Sequence, residues 1–151
     1  MARFRYRMQN ILDVKEKLES QARNDFAIAN AILAEEEEKL EGLKGRKADY
    51  EEDLRRLYEK SLDLQKINET IDAIDNIKER IVIQEGVVRQ AMHNVDLARE
   101  KLTEAMQERK THEKLKERQF EEFLQEEAAR ESKEIDELVS FRHGQTKAGA
   151  E

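Results

Sequence analysis

The chain has 151 residues, of which 42% are charged and 5% aromatic, with no Pro, Cys or Trp and a formal net charge of -7. Such a low apolar content excludes a compact layered core, and the abundance of Glu, Lys, Leu and Ala in place of Pro, Ser and Gly argues against disorder. No stretch has the roughly 18 or more apolar residues of a membrane span, and the acidic balance disfavours nucleic-acid binding. The composition predicts long helices or a coiled coil.

Apolar residues in the first half recur in steps of three and four, the spacing that turns one helix face toward a partner helix. These residues are Phe4, Met8, Ile11, Leu18, Ala22, Phe26, Ala29, Leu33, Leu40, Leu43, Tyr50, Leu54, Leu57 and Leu64. The gaps in the series are filled by polar residues such as Lys15, Glu36 and Lys47. The pattern predicts a first helical arm over about residues 4–60.

The second half carries an unbroken series at every seventh position, which indicates a second arm over about residues 71–141. The series is Ile67, Ile74, Ile81, Val88, Val95, Leu102, Arg109, Lys116 and Phe123. Its partners at the intervening positions are Ile77, Gln84, Ala91, Ala98, Ala105 and His112.

The two apolar series differ in phase, because the repeat shortens after Leu57. Four residues in this region can cap a new helix: Ser61, Asp63, Asn68 and Thr70. We therefore predict a tight reversal over about residues 61–70. The alternative is one continuous helix in a parallel dimer, with a local stammer at this point.

A fold-back near residue 65 would place Ala22 and Ala29 across from the stretch between Ala98 and Ala105, where small residues allow close helix approach. It would also bring the aromatic residues of both arms to the same end. The predicted fold class is therefore all-α, a long antiparallel two-helix coiled coil or α-hairpin. We expect residues 1–143 to form a single helical hairpin and residues 144–151 a flexible tail.

Charge is distributed unevenly between the two ends of the chain. Residues 1–23 hold six basic residues against three acidic ones, whereas residues 119–138 hold eight acidic residues against two basic ones. In a hairpin these segments would lie side by side. Their charges would either attract the two arms to each other and set their register, or present both signs of charge to a partner.

Catalysis needs convergent groups in a concave site, which two packed helices barely provide. Gly42 and Gly45 flank Lys44, but this segment lacks the spacing of a phosphate-binding loop. We therefore predict no enzyme activity, no cofactor and no metal ion.

Three blocks of the sequence resemble the FliJ proteins of the bacterial flagellar type III export apparatus. They are FRYRMQNILDVKEKLESQA (4–22), VDLAREKLTEAMQERKTHEKLKER (95–118) and ESKEIDELVSFR (131–142). The resemblance depends on the order of the three blocks and on the length of the chain, nearly all of which it spans.

The resemblance implies an antiparallel coiled coil like the central shaft of rotary ATPases. It implies that the open end of the hairpin inserts into the pore of the hexameric export ATPase and promotes assembly of its ring. The part near the reversal would contact the cytoplasmic region of the export gate, and export chaperones are further implied partners. The expected localisation is cytoplasmic, peripherally at the membrane through the export apparatus.

The resemblance also implies candidate contact residues. Those for the ATPase are Arg3, Phe4, Arg5, Tyr6, Ile11, Phe120, Phe123, Asp136 and Glu137. Those for the export gate are Leu43, Tyr50, Ile77, Ile81 and Gln84. An aromatic residue that the resemblance leads us to expect one turn before Tyr50 is Arg46 here.

The leading functional hypothesis is a non-catalytic stalk that couples the export ATPase to the gate. The alternative is a coiled-coil scaffold, or a holdase that binds export chaperones without coupling to an ATPase.

Overall fold

A computed structural model describes residues 2–60 and 62–149, without the side chain of Ala148. It contains two helices, α1 (Gln9–Lys60) and α2 (Leu64–Gly149), which pack against each other as a helical hairpin. The described residues include no β-strand, so the predicted all-α fold class is confirmed. Neither helix has an apolar stretch long enough to cross a membrane over the described ranges.

Asp63 begins α2 by capping it. Its carbonyl oxygen accepts a hydrogen bond from the Ile67 amide at 3.0 Å, and its carboxylate accepts one from the Lys66 amide at 3.4 Å. The first contact is the opening bond of the helix, and the second satisfies one of the amide groups at a helix start that have no partner within the helix. Helix α2 thus begins within the range predicted for the reversal and continues into the segment expected to be a tail, while Ser61 lies outside the described residues.

Charged residues three or four positions apart support the exposed faces of both helices. Lys39 bonds to Glu36 on α1, and Arg109 bonds to Glu113 on α2 at 2.7 Å. Oppositely charged pairs at this spacing stabilise a helix slightly. The helices therefore rest on local propensity as well as on packing, since the sequence contains no Pro to interrupt them.

The chain divides into two compact units, each built from parts of both helices. Unit 2 (Glu19–Glu104) holds a regular apolar core. The core residues that are buried here are Ile67, Ile74, Ile77, Ile81, Ala91 and Val95. All of them belong to the series predicted for the second arm, so that periodicity is confirmed.

Contacts between the helices show that they are antiparallel within unit 2. Gln84 of α2 donates hydrogen bonds to Glu36 of α1, and the guanidinium of Arg99 lies 5.7 Å from the ring centroid of Phe26. Arg99 follows Gln84 along α2, whereas its partner Phe26 precedes Glu36 along α1, so the two helices run in opposite directions. These pairs lie a few residues away from the pairing expected for a fold-back near residue 65, because α1 ends at Lys60 and α2 begins at Leu64, which centres the fold-back before residue 65.

Unit 1 (Met1–Leu18 and Ala105–Glu151) holds a much smaller apolar core, in which Tyr6 and Leu12 are buried. The predicted apolar series at the start of the chain is wrong by one position here, since Leu12 is 2% exposed whereas Ile11 is 43% exposed. The same shift recurs inside α1, where Leu18 is 45% exposed and the neighbouring Glu19 is buried. The physical reason is that the covered face of α1 here includes the polar residues Lys15 and Glu19, so a series built from apolar residues alone missed it.

Candidate partner-binding surfaces

An aromatic cluster in unit 1 fixes the N-terminal segment to α2. The ring centroid of Phe4 lies 5.2 Å from that of Phe120, edge-on, and 5.5 Å from that of Phe123. Such aromatic pairs contribute about 0.5–1.5 kcal/mol beyond the area they bury. Phe4 and Phe123 are therefore partly committed to internal packing, while Phe120 remains exposed over 43% of its surface.

Tyr6 is buried, and its hydroxyl has no hydrogen-bond partner among residues 2–60 and 62–149. A buried unpaired hydroxyl costs about 1–3 kcal/mol relative to a paired one. In the isolated chain the ring of Tyr6 therefore serves the packing of the N-terminal segment. Ile11, another candidate for the ATPase contact, is more accessible than Tyr6.

Three arginines alternate with Phe4 and Tyr6 along the N-terminal segment. Arg3, Arg5 and Arg7 are exposed, and within the described part of the chain none of them forms an ion pair. This arrangement does not favour the first of the two explanations for the charge asymmetry, in which the basic N-terminal residues attract the acidic part of α2. The three guanidinium groups are free to meet an external partner.

The ion pair that does join the two helices in unit 1 lies further along α1. The Lys15 ammonium donates a hydrogen bond to the Glu108 carboxylate at 2.7 Å. This hydrogen bond, together with the positive charge of Lys15, lowers the pKa of the Glu108 carboxyl. Register in unit 1 is thus set by a polar contact and by the aromatic cluster.

The last part of α2 has no helix packed against it in unit 1. All described side chains from Ala128 to Lys147 are exposed, including the acidic candidates Asp136 and Glu137. The segment also exposes large apolar side chains: Ile135, Leu138, Val139 and Phe141. Apolar residues at such spacing on an unpartnered helix are typical of a surface that another molecule covers.

The candidate gate residues in unit 2 occupy two different environments. Ile77 is 2% exposed and Ile81 is also buried, so both pack between the helices and leave little surface for a partner. Leu43, Tyr50 and Gln84 are half-buried.

Leu43 and Gln84 come together on the wall of one open groove of about 660 Å³. The lining residues are Lys39, Gly42, Leu43, Arg46, Arg80, Ile83 and Gln84. Tyr50 does not line this groove, and the structure therefore brings two of the five candidates together.

Polar contacts fix one end of the groove. The Gln84 amide donates to the Glu36 carbonyl oxygen at 2.9 Å and to the Glu36 carboxylate at 2.7 Å. The hydrogen bond from Gln84 and a second one from Lys39 lower the pKa of the Glu36 carboxyl, and the same carboxylate raises the pKa of Lys39. Gln84 and Lys39 are thus already engaged by Glu36.

The sequence patterns missed Ile83, an apolar residue that lines the groove and is 68% exposed. A signal was present, because Ile81, Val82 and Ile83 are consecutive. Consecutive helical residues point about 100° apart, so a single partner helix cannot bury all three. The structure buries Ile81 and exposes the other two.

The packed antiparallel helices define a coiled-coil protein. Among solved structures, this chain is similar to a YscO homolog, CT670, from Chlamydia trachomatis. The TM-score is 0.56 with 23% sequence identity, and the match covers 96% of this chain and 98% of that chain. At this identity the likeness concerns the fold. No curated protein sequence matches the chain.

The family model described as flagellar FliJ protein matches residues 4–148. The chain therefore belongs to the FliJ family, as the sequence resemblance predicted. Membership implies a non-enzymatic component of the flagellar type III export apparatus.

Proposed function

We propose that this chain is the stalk of the flagellar export apparatus, which binds in the ring of the hexameric export ATPase and links that ring to the export gate. Unit 1 contacts the ATPase, and unit 2 contacts the cytoplasmic region of the gate. The stalk itself carries out no chemistry. In this arrangement the chain is held in the cytoplasm at the membrane through the apparatus.

The observation that carries the ATPase contact is the set of unpaired arginines around the Phe4 cluster. The packing of Phe4 on Phe120 holds the N-terminal segment against α2, so the backbone that carries the arginines is partly fixed in place. A surface that is fixed before binding loses less conformational entropy when a partner meets it. Arg3, Arg5 and Arg7 are therefore suited to carboxylates on the inner surface of a ring.

The test uses the full chain with Arg3, Arg5 and Arg7 all changed to Glu. ATPase rate and ring size are measured with and without the stalk, at concentrations where the stalk is folded. We expect the wild-type chain to raise both, and the variant to need at least about tenfold more protein for the same effect. The reason is that reversed charges at an interface weaken association strongly.

The matched control changes Lys110, Lys114 and Arg118 to Glu, three exposed bases on α2 within the same unit. It alters the net charge by the same amount, and we expect it to behave like wild type. Equal losses in both variants would mean that net charge and not this surface governs binding. A wild-type chain that leaves both the ATPase rate and ring size unchanged would refute the stalk proposal.

The exposed apolar face of α2 favours a second function, the binding of export chaperones without ATPase coupling. Ile135, Leu138 and Phe141 present apolar surface that this chain does not cover. Changing these three residues to Ser should abolish chaperone capture in a pull-down while leaving helicity unchanged. If this variant loses ATPase stimulation and retains chaperone binding, the face belongs to the stalk function instead.

A further inference from the structure

The exposed end of α2 in unit 1 carries a regular face of its own. Exposed residues recur there in steps of three and four, the spacing that turns one helix face toward a partner helix. This face, the C-terminal stripe, consists of Ala128, Glu131, Ile135, Leu138, Arg142 and Gln145. At its centre, Ile135 and Leu138 are 59% and 60% exposed. The stripe therefore has the pattern of a coiled-coil face without a partner among the described residues.

The spacing of the stripe is the same from either end. Its successive steps are 3, 4, 3, 4 and 3 residues. A second copy laid antiparallel on the stripe therefore meets it position by position. Ile135 of one copy then faces Leu138 of the other, and Glu131 faces Arg142. The apolar residues meet at the centre of such a contact, and opposite charges meet on both sides of it.

The charges of this segment favour the antiparallel arrangement. Residues 126–137 hold six acidic residues against two basic ones, whereas residues 138–147 hold two basic residues and no acidic one. Arg130 bonds to Glu127 on the same helix at 3.2 Å. Glu131 and Arg142 form no ion pair within residues 2–60 and 62–149. Antiparallel copies place the acidic half of one segment beside the basic half of the other, while parallel copies place like charges together.

We propose that the C-terminal stripe binds a second copy of this chain in antiparallel orientation. Ile135 and Leu138 of both copies form the apolar centre, and two Glu131–Arg142 ion pairs flank it. The contact goes beyond the stalk function and does not depend on it. Because the stripe overlaps the apolar face offered to export chaperones, the dimer and a chaperone complex exclude each other. A stripe from Ala128 to Gln145 is about 27 Å long, so the association is weak.

Sedimentation velocity of the full chain, from about 1 to 500 µM, tests the self-association. We expect monomers at the low end and dimers at the high end, with a Kd of roughly 10–100 µM. Arg142→Glu should raise the Kd at least about tenfold, because it places like charges opposite each other on both sides of the contact. Glu131→Arg should do the same. The variant with both changes restores the two ion pairs in reverse and should return to within about threefold of wild type.

The matched control is Lys133→Glu, which changes the net charge as Arg142→Glu does. Lys133 is exposed in the same segment and lies on the opposite side of the helix from the stripe. It should keep the Kd within about twofold of wild type. Equal losses for Lys133→Glu and Arg142→Glu, or no recovery in the variant with both stripe charges exchanged, would overturn the assigned contact.

Introduced cysteines test the orientation, since the chain contains none of its own. Glu131→Cys with Arg142→Cys should give disulfide-linked dimers under mild oxidation. Within one helix these positions lie about 16 Å apart, which is farther than a disulfide spans. Each single-cysteine variant should stay mostly unlinked, because antiparallel copies hold the two identical positions equally far apart. Efficient links in the single variants would show parallel pairing and refute the proposal.

The wild-type chain gives the most direct result. A chain that remains monomeric up to about 500 µM would overturn the self-association and leave the stalk function untouched. Failure of the chain to stimulate the ATPase would refute the stalk function and leave the dimer untouched.

Discussion

The two units use the same pair of helices in different ways. Unit 2 buries four isoleucines of α2 in a regular series, whereas unit 1 buries Tyr6 and Leu12 and relies otherwise on ring contacts and the Lys15–Glu108 ion pair. Burial of a large apolar side chain stabilises by about 1.5–3 kcal/mol, while an exposed ion pair contributes much less because water screens it. The comparison teaches that unit 2 supplies most of the stability, and that unit 1 leaves apolar and charged groups available to partners.

Hydrogen–deuterium exchange should give the widest contrast between these regions. Amides of residues 67–95 should open with a free energy close to that of global unfolding, because the buried isoleucines hold this part of α2. Amides of residues 128–149 should open with a free energy near zero, since an isolated helical segment is marginal in water. Equal protection of both ranges, measured by mass spectrometry on the same sample, would contradict the assignment of stability to unit 2.

Two isoleucines of α2, one buried and one exposed, test the burial pattern within unit 2. Ile77→Ala should lower the free energy of unfolding by about 2–4 kcal/mol, because it empties a buried site between the helices. Ile83→Ala, at an exposed position six residues later, should change it by less than about 0.5 kcal/mol. Urea denaturation followed by circular dichroism measures both, and similar losses for the two variants would show that the burial pattern is mistaken.

Leu12 and Ile11 allow the same comparison of a buried and an exposed residue in unit 1. Leu12→Ala should cost about 2 kcal/mol or more, because it removes most of a buried side chain. Ile11→Ala should cost less than about 0.5 kcal/mol. Thermal unfolding of both variants shows which of the two residues is buried. A larger loss of stability for Ile11→Ala would support the apolar series predicted from the sequence.

The smallest expected effect concerns pH. The Lys15 ammonium lowers the pKa of Glu108 below its ordinary value of 4.5. The stabilisation from this pair is therefore complete above the ordinary pKa and is lost as the pH falls through the lower pKa of the folded state. Lys15→Gln should raise the pKa of Glu108 toward the ordinary value, as followed by NMR titration of the side-chain carboxyl. No change would mean that the pair is not formed in solution.

Much of the fold follows from periodicity. The sevenfold spacing of Ile67, Ile74 and Ile81 predicted which face of α2 is buried, because packing between two long helices selects residues at that spacing. The candidate site was less predictable. Ile77 and Ile81 carry both the periodicity and the family resemblance, and local sequence cannot decide whether such a residue faces the partner helix or another protein.

The sequence by itself determined two long helices, a set of cap candidates that includes Asp63, and the periodic core of α2, since these depend on residue spacing and local hydrogen bonds. Tertiary structure alone decided that Leu12 and not Ile11 is buried, that Phe4 packs on Phe120, and that Leu43 and Gln84 line one groove. The physical reason is that each of these features depends on where one helix lies along the other. That alignment is set by many weak contacts acting together and not by any single motif.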